Sequence, residues 1–307
     1  MHGRSARRFL ARWFRIALSA LVAVGVLLAL EHLSRRWDGR EVHLSWGPIL
    51  LSLFVLVAAN VFQGLGWLRL LERMSGKAIN ARPVLSVFML AQLARYAPGK
   101  IGVPMVRIAA SAKMGVQPQL VAASVGIDVG TWMGLGAIIG CVTLLSSTVE
   151  NTSWLHLSHS MLWINLIVLL LGLTAALLVD REKFPRFVLR MLRAEGKGPL
   201  VSLQMVWMQL LSWVGWWLLG LLMPLAVGSS LAVAVSNASI FVVAPIVGFL
   251  ALVAPGGLGV RETVISYALA PSLGASAALA AALLARGVAI ASELLGWLLA
   301  LCWERCK

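Results

Sequence analysis

Three charged side chains lie deep inside long apolar stretches of the sequence: Asp128, Arg286 and Glu293. Asp128 and Arg286 each stand about ten residues into a predicted helix, which places both near the centre of a bilayer. Glu293 follows Arg286 by seven residues and therefore projects from nearly the same helix face. An ionised group at that depth costs several kcal/mol unless it is paired or lines a wet cavity. The three residues therefore predict a gate or a relay at the midplane of the membrane, in which coupling to protons is one option.

A second group of charged residues, mostly cationic, surrounds two Pro-Gly sequences. The first sequence is Pro98-Gly99, and the second is Pro255-Gly256-Gly257. The charged residues near them are Arg95, Lys100, Arg107, Arg261 and Glu262. A helix that begins at Pro98 or Pro255 directs free N–H groups and a positive dipole end toward the break, which favours an anion such as phosphate. We predict that these five residues bind the substrate, with Lys100, Arg107 and Arg261 on a phosphate group.

A purely structural role is the alternative for the same charges. Opposite charges at membrane depth form salt bridges, for instance between Asp128 and Arg286, and such a network would only hold two halves of the protein together. The sequence leaves both roles open for each individual residue.

The elements that carry these charges are predicted to be membrane-spanning helices. Of the 307 residues, 60% are hydrophobic and only 12% are charged, and the mean hydropathy is +0.89. Apolar runs at 14–30, 47–68, 161–179 and 206–227 each reach the roughly 20 residues that cross about 30 Å of hydrocarbon. The chain is therefore predicted to be an all-α, polytopic integral membrane protein that forms a single transmembrane domain over residues 1–307. We expect the first run to remain as an uncleaved helix rather than to be removed as a signal peptide.

Basic residues predict the orientation of these helices. The formal net charge of +14 comes largely from clusters at 4–15, 69–82, 181–197 and 305–307. Because Lys and Arg are enriched in cytoplasmic segments, the clusters place both termini and a basic linker at 181–199 in the cytoplasm. The same distribution argues against nucleic acid as a partner and favours contact with anionic lipid headgroups.

The two Pro-Gly sequences belong to a longer internal repeat. Residues 97–103 (APGKIGV) resemble residues 254–260 (APGGLGV), and Pro255 follows Pro98 by 157 positions (255 − 98). We therefore predict two related units that each contain a broken hairpin.

The units are predicted to span residues 14–146 and 160–303. Their eight hydrophobic segments would form about six spanning helices and two re-entrant Pro-Gly hairpins. A unit with an odd number of crossings inverts the next one, so the repeats would be inverted, as in many secondary transporters. The alternative is that each Pro-Gly pair only kinks an ordinary span, which would give eight crossings and parallel repeats.

Few residues suggest other chemistry. The three cysteines, Cys141, Cys302 and Cys306, lack the spacing of a zinc site or a disulfide framework. The five histidines lie in predicted tails and loops without the helical spacing of a metal site. We therefore predict no metal, no cofactor and no catalytic residue. Most of the 13 tryptophans, Trp67 among them, are expected to serve as interfacial anchors near the ends of spans and in helix packing.

Two runs of this sequence are similar to the paired signatures of a known family. The first is Arg95-Tyr96-Ala97-Pro98-Gly99 with Arg107 after it, and the second is Pro255-Gly256-Gly257-Leu258-Gly259-Val260-Arg261-Glu262 followed by Arg286 and Glu293. They resemble the lysylphosphatidylglycerol synthase transmembrane-region family of flippase-like bacterial membrane proteins. The likeness covers nearly the whole chain. The family often has Glu as the membrane acid of the first copy, where this sequence has Asp128.

The resemblance implies a flippase-like protein that moves an anionic phospholipid or a lipid-linked intermediate between the leaflets of a bacterial cytoplasmic membrane. It implies membrane lipids as partners and no aminoacyl transfer, since the soluble catalytic domain of the full-length synthases would need further residues beyond Lys307. Two other classes stay open. One is a non-catalytic scaffold that binds proteins of a lipid or glycolipid biosynthesis pathway. The other is a membrane-embedded enzyme acting on lipid phosphates, for which the sequence offers no set of nucleophile and metal ligands.

Overall fold

The computed structural model describes residues 42–96, 101–146, 201–251 and 254–306. Within these ranges the chain forms helices and no strand. The α-helices are α1 (Trp46–Ser75), α2 (Ala81–Leu93), α3 (Gly102–Ala109), α4 (Pro118–Ser146), α5 (Leu203–Ala226), α6 (Leu231–Asn237), α7 (Ile240–Leu250), α8 (Val260–Leu273) and α9 (Ala275–Arg305). Short 3-10 turns lie at Ala94–Tyr96, Ala112–Met114 and Pro255–Gly257. The predicted all-α class is confirmed.

Five segments of the described chain are long and apolar enough to cross a membrane. They are α1, Pro118–Gly140 within α4, α5, the consecutive helices α6 and α7 taken together, and α9. The polytopic membrane class is therefore confirmed. The predicted apolar runs at 47–68 and 206–227 coincide with α1 and α5, whereas those at 14–30 and 161–179 lie outside the described residues.

Capping side chains and turn residues determine where several helices begin and end. Asn80 accepts a hydrogen bond from the backbone N–H of Arg82 at the start of α2 (3.0 Å). Ser202 caps the start of α5 in the same way (3.2 Å). Helix α1 ends at Ser75 and is followed by Gly76, whose φ of 72° is left-handed and whose N–H donates to the carbonyl of Glu72. These boundaries are therefore encoded locally, by residue types that suit the ends of helices.

Helices α7 and α8, on either side of the second Pro-Gly sequence, pack as an antiparallel pair that we call the second hairpin. Near its tip, Gly248 of α7 lies against Arg261 of α8. Near its base, Asn237 Nδ2 donates to Ser272 Oγ (3.4 Å). The limbs are 11 and 14 residues long, so each reaches only about 16 to 21 Å at 1.5 Å per residue. Each limb alone is therefore shorter than the roughly 30 Å of hydrocarbon, whereas α7 together with the preceding α6 is long enough to cross it.

Helices α2 and α3 form the corresponding first hairpin. Its limbs have 13 and 8 residues. Its base lies where Lys77 Nζ, before α2, donates to the carbonyl of Gly115, after α3 (2.7 Å). The predicted break residues Pro98 and Gly99 lie outside the described residues, as does Lys100.

The helices of the two halves follow each other at nearly constant spacing. We call residues 42–146 the first half and residues 201–306 the second half. Helix α5 begins 157 positions after α1 (203 − 46), and α9 begins 157 positions after α4 (275 − 118). Helices α7 and α8 begin 159 and 158 positions after α2 and α3 (240 − 81 and 260 − 102). Apart from the additional helix α6, the order of α-helices in the first half thus recurs in the second.

The equivalent helices α1 and α5 pack against each other in opposite directions. Before the start of α1, the N–H of Ser45 donates to the carbonyl of Ala226 at the end of α5 (2.8 Å). In the later part of α1, Gly66 lies against the first turns of α5. At the crossing, Gly215 allows close approach, because a Cβ there would overlap the methyl group of Ala59. The two halves therefore meet along an antiparallel helix pair.

Basic residues collect at one end of the described molecule. There, Arg82 at the start of α2 donates to the carbonyl of Cys306, just after α9. We call this the basic end, and it also carries Lys77. The opposite end is formed by residues 42–45, 227–231 and 272–275, which contain no Lys or Arg.

Two fully buried tryptophans occupy the two hydrophobic cores. The indole of Trp67 donates to Ser124 Oγ (3.0 Å). Trp213 stacks on Trp132, with ring centroids 4.1 Å apart, and donates to the carbonyl of Trp132 (2.9 Å). Of the two roles expected for the tryptophans, Trp67 serves in helix packing, because its ring is enclosed in the core and covers the guanidinium of Arg107.

Candidate functional site

A cavity of about 610 Å³ lies between the two halves, with both hairpins in its wall. Its charged lining residues are Arg95, Arg107, Asp128 and Arg261. Apolar side chains such as Trp132, Trp216 and Phe249 form much of the remaining wall. A small number of polar groups set in an apolar wall is typical of a site that binds a ligand with both polar and apolar parts.

The most enclosed charges of the cavity wall are Arg107 and Asp128, which form a salt bridge of 2.8 Å between α3 and α4. Their side chains are 2% and 1% exposed. The rings of Trp67 and Phe88 cover the guanidinium at 4.4 and 4.5 Å, and Gln209 donates to Asp128 Oδ1 (3.0 Å). Since a buried charge requires a partner and hydrogen bonds, this arrangement compensates both charges and fastens the first hairpin to α4.

Arg286 of α9 holds the tip of the second hairpin. Its Nε lies 3.5 Å from Glu262 Oε1, and its NH1 donates to the carbonyl of Gly256 (3.2 Å). The guanidinium also covers the ring of Tyr96, at 4.9 Å. Gly256 has a left-handed φ of 58°, and a Cβ there would stand 2.6 Å from Tyr96 Cδ1. The two hairpin tips therefore meet at Tyr96 and Gly256.

A third ion pair joins the two halves. Arg95, at the tip of the first hairpin, lies 3.1 Å from Glu293 of α9. Arg95 also donates to the side-chain oxygen of Gln92 (2.7 Å) and to its carbonyl (3.0 Å). The pairs Arg107 with Asp128 and Arg286 with Glu262 each lie within one half, so this pair adds a connection between hairpin tip and opposite half.

Arg261, at the start of α8, differs from the other arginines of the site. It is buried, with 8% exposure, and lies 5.8 Å from the ring of Trp216. Among the described residues no carboxylate lies within salt-bridge distance of it. Arg261 therefore contributes a positive charge to the cavity wall that forms no salt bridge with a described side chain.

Three carboxamide side chains line the same cavity: Asn60, Gln63 and Gln92. Asn60 Nδ2 donates to Ser292 Oγ (3.3 Å), and Gln92 Nε2 donates to Gln63 Oε1 (3.2 Å). These three residues were not predicted from the sequence because they carry no charge. One signal was available, since Asn60 and Gln63 stand three positions apart in the apolar run 47–68 and so share a helix face.

The structure brings most of the predicted site residues to one place. Arg95, Arg107, Arg261 and Asp128 line the cavity, and Glu262, Arg286 and Glu293 are held in the ion pairs beside it. The pairing suggested between Asp128 and Arg286 is wrong, because each has a different partner in its own half. The roles of these residues in substrate binding and gating stay predictions.

Metal ligands are not grouped in the described part of the chain. There, no set of three or more His, Cys, Asp or Glu side chains is placed to hold a metal ion. Cys302 and Cys306 are free and exposed. The expectation of no metal and no cofactor stays a prediction for the whole chain.

Comparison with known proteins places the chain in a family. The model of the lysylphosphatidylglycerol synthase TM region matches residues 12–295. The chain belongs to this family. The resemblance based on the two Pro-Gly signatures is thereby confirmed. Comparison with curated proteins gives no match.

The family match covers the whole of the described cavity. All lining residues, both hairpins and the three ion pairs fall within residues 12–295. In this member of the lysylphosphatidylglycerol synthase TM-region family, the site is therefore built from the membrane helices themselves.

Proposed function

We propose that this protein is a lipid flippase or transporter that moves an anionic phospholipid or a lipid-linked intermediate between the leaflets of the bacterial cytoplasmic membrane. The observation that carries the proposal is the cavity of about 610 Å³ between the two hairpins. Its wall combines apolar side chains with the guanidinium of Arg261, which forms no salt bridge with a described residue. Such a site suits a ligand with an anionic headgroup and apolar chains.

Opposite orientation of the two halves supports movement between leaflets. The helix order recurs at a spacing near 157 positions, while the equivalent helices α1 and α5 run antiparallel. Parallel repeats would have made these two helices parallel. We therefore infer two inverted repeats. In secondary transporters this arrangement allows a site between the repeats to open alternately to either side of the membrane.

The positions of the two hairpins agree with this inference. The base of the first hairpin, at Lys77 and Gly115, lies at the basic end, and the base of the second, at Asn237 and Ser272, lies at the opposite end. We infer that both are re-entrant and enter the membrane from opposite faces. The positive-inside rule assigns the basic end, and with it the C-terminus, to the cytoplasm.

In the proposed mechanism, the headgroup phosphate binds Arg261 between the hairpin tips while the acyl chains remain along the apolar wall. Arg95 and Glu293 join the two halves, so this pair opens and closes as the halves move relative to each other. Glu262 and Arg286 hold the tip of the second hairpin beside the phosphate. No covalent step is involved, and the protein acts by binding and conformational change alone.

A leaflet-exchange assay with the purified protein in liposomes tests the proposal. Arg261→Ala removes the uncompensated charge, and we expect the initial rate for a labelled anionic phospholipid to fall about ten-fold or more. Arg69→Ala is the matched control, because Arg69 is a half-exposed arginine of α1 outside the cavity wall. It should exchange lipid at nearly the parent rate.

Two outcomes would reject the flippase. If the parent protein moves no lipid above protein-free liposomes, the activity itself is absent. If Arg261→Ala moves lipid as fast as the parent, the cavity is not the route. A scaffold for lipid biosynthesis predicts a third pattern, in which Arg261→Ala alters the recovery of partner proteins and leaves lipid distribution unchanged.

A further inference from the structure

Every carboxylate that the structure describes at membrane depth is already paired with an arginine. The N to O distances are 2.8 Å for Arg107–Asp128, 3.1 Å for Arg95–Glu293 and 3.5 Å for Arg286–Glu262. Glu262 and Glu293 keep oxygens that make no hydrogen bond, but neither residue lines the cavity. Asp128 is the carboxylate among the described lining residues, and it is bonded to Arg107 and Gln209. A headgroup ammonium in the cavity could pair with Asp128 only by displacing Arg107, which would leave that buried guanidinium without its counter-charge.

The charge of the lining favours a single negative group. Asp128 compensates Arg107, and Glu293 compensates Arg95, so Arg261 remains as one net positive charge. A phosphodiester carries one negative charge and matches the planar guanidinium geometrically. An ammonium group on the same headgroup would instead be repelled by Arg261, and more strongly in this enclosed site than in water.

Two carboxamides of the cavity wall have hydrogen-bonding atoms that can bind a neutral part of the headgroup. Among the described residues, Asn60 uses only its Nδ2 and Gln63 only its Oε1 in hydrogen bonds. One acceptor, Asn60 Oδ1, and one donor, Gln63 Nε2, therefore remain on two residues that line the cavity. A hydroxyl group both donates and accepts, so headgroup hydroxyls can bond to either atom.

From these observations we propose that the cavity selects phosphodiester lipids with a neutral, hydroxylated headgroup and discriminates against lipids whose headgroup carries an ammonium group. The inference rests on the proposed function, since it names the substrate class of the same site. Arg261 binds the phosphodiester, and Asn60 and Gln63 bind the headgroup hydroxyls. The lysyl headgroup to which the family name refers is thus a poor ligand for this chain.

Three lipids that differ by one chemical feature test the selectivity on the full-length parent protein. Phosphatidylglycerol has a hydroxylated headgroup, phosphatidylmethanol has the same single charge without hydroxyls, and lysylphosphatidylglycerol adds ammonium groups. Binding to the protein in detergent micelles is measured by native mass spectrometry. We expect phosphatidylglycerol to bind about ten-fold more tightly than either of the other two, from its hydrogen bonds and the absence of repulsion.

Substitution of the carboxamides separates headgroup recognition from charge. Gln63→Leu and Asn60→Leu should lower the preference for phosphatidylglycerol over phosphatidylmethanol to near one, with phosphatidylmethanol binding unchanged. The matched control is Gln204→Leu, because Gln204 lies on the exposed surface at the start of α5 and outside the lining. If a carboxamide variant does not fold, the comparison of three lipids on the parent still decides the question.

Equal or tighter binding of lysylphosphatidylglycerol overturns the inference, as does an unchanged preference in folded Gln63→Leu and Asn60→Leu. The leaflet-exchange assay distinguishes this failure from failure of the flippase. Selective binding without lipid movement supports the selectivity and rejects transport. Lipid movement at equal rates for the three lipids supports transport and rejects the selectivity.

Discussion

The arginines of the membrane region differ in how completely their charges are compensated. Arg107 has a carboxylate at 2.8 Å and two aromatic rings over its guanidinium, whereas Arg261 has no described carboxylate within salt-bridge distance. A compensated charge attracts a ligand weakly, and a free one attracts it strongly. The geometry therefore favours a structural role for Arg107 and a ligand-binding role for Arg261, although the sequence predicted phosphate binding for both.

Breaking the buried pair of Arg107 and Asp128 should destabilise the protein. In Asp128→Leu the guanidinium of Arg107 stays buried without its counter-charge, which typically costs roughly 3–5 kcal/mol. We expect the midpoint of thermal unfolding in detergent to fall markedly. The double variant Arg107→Met/Asp128→Leu removes both charges and should recover most of the loss. A single variant as stable as the parent would show that Arg107 does not depend on Asp128.

For individual residues, the sequence predicted which charges lie at membrane depth but not which residues form ion pairs. Depth follows from counting along a helix, so Asp128 and Arg286 could be placed near the midplane. Pairing depends on how each helix is rotated about its axis where it packs. Neighbouring positions of a helix project in different directions, so a small rotation brings a charge to a different partner. The carboxamides were not predicted for a different reason. A neutral amide at membrane depth costs less free energy than an ion, so its presence in an apolar run does not by itself indicate a site.

Among the helices, α4 contributes three glycines to the cavity wall. Gly126, Gly130 and Gly134 follow each other at intervals of four residues and all line the cavity. A Cβ at Gly126 or Gly130 would meet no heavy atom within 4 Å. These glycines therefore leave space for a ligand, and packing of neighbouring helices does not require them.

Filling this space should block the cavity without unfolding the protein. Gly130→Leu places a large side chain against the ligand space and raises helix propensity by up to about 1 kcal/mol. We expect leaflet exchange to fall several-fold while the thermal midpoint stays equal or rises. Gly287→Leu is the matched control, since Gly287 of α9 also has no neighbour within 4 Å but does not line the cavity. Exchange at the parent rate in Gly130→Leu would contradict this function of α4.

The sequence predicted the helices better than their exact limits. Long apolar runs identified α1 and α5, and the Pro-Gly sequences correctly marked where helices stop. The helix after the second break was expected to begin at Pro255, but α8 begins at Val260. Gly256, Gly257 and Gly259 all have positive φ, so this turn takes more residues than a simple proline break. Its shape depends on contacts with Tyr96 and Arg286 from other elements.

For the whole molecule, the antiparallel packing of α1 and α5 predicts which ends share a face of the membrane. Ala78 follows α1 at the basic end, and Ser236 lies in α6 at the opposite end. Both are exposed. They should therefore be reachable from opposite sides of the membrane.

Thiol labelling in cells tests this arrangement. Ala78→Cys and Ser236→Cys are made in a background in which Cys141, Cys302 and Cys306 are replaced by Ser. We expect an impermeant maleimide to label Ser236→Cys in spheroplasts and Ala78→Cys only in inverted vesicles. The background protein alone is the control and should stay unlabelled. Labelling of both positions from one face would contradict the inverted arrangement of the halves.

The repeat was visible in the sequence because seven residues around each break are similar, and their spacing of 157 positions recurs in the helix starts. The meeting of the two tips was not visible. It results from Arg286 bonding to the carbonyl of Gly256 while covering the ring of Tyr96, and a single sequence does not reveal such contacts between distant segments.

The ion pair that joins a hairpin limb to the following long helix has opposite charge order in the two halves. In the first half the hairpin limb supplies the cation and the following helix the anion, as Arg107 and Asp128. In the second half the limb supplies the anion and the helix the cation, as Glu262 and Arg286. If α4 and α9 exchanged places during biogenesis, Arg107 would face Arg286, and Glu262 would face Asp128. Both of these contacts would bring like charges together. Their repulsion disfavours the docking of α4 on the second hairpin and of α9 on the first, although the two halves are similar.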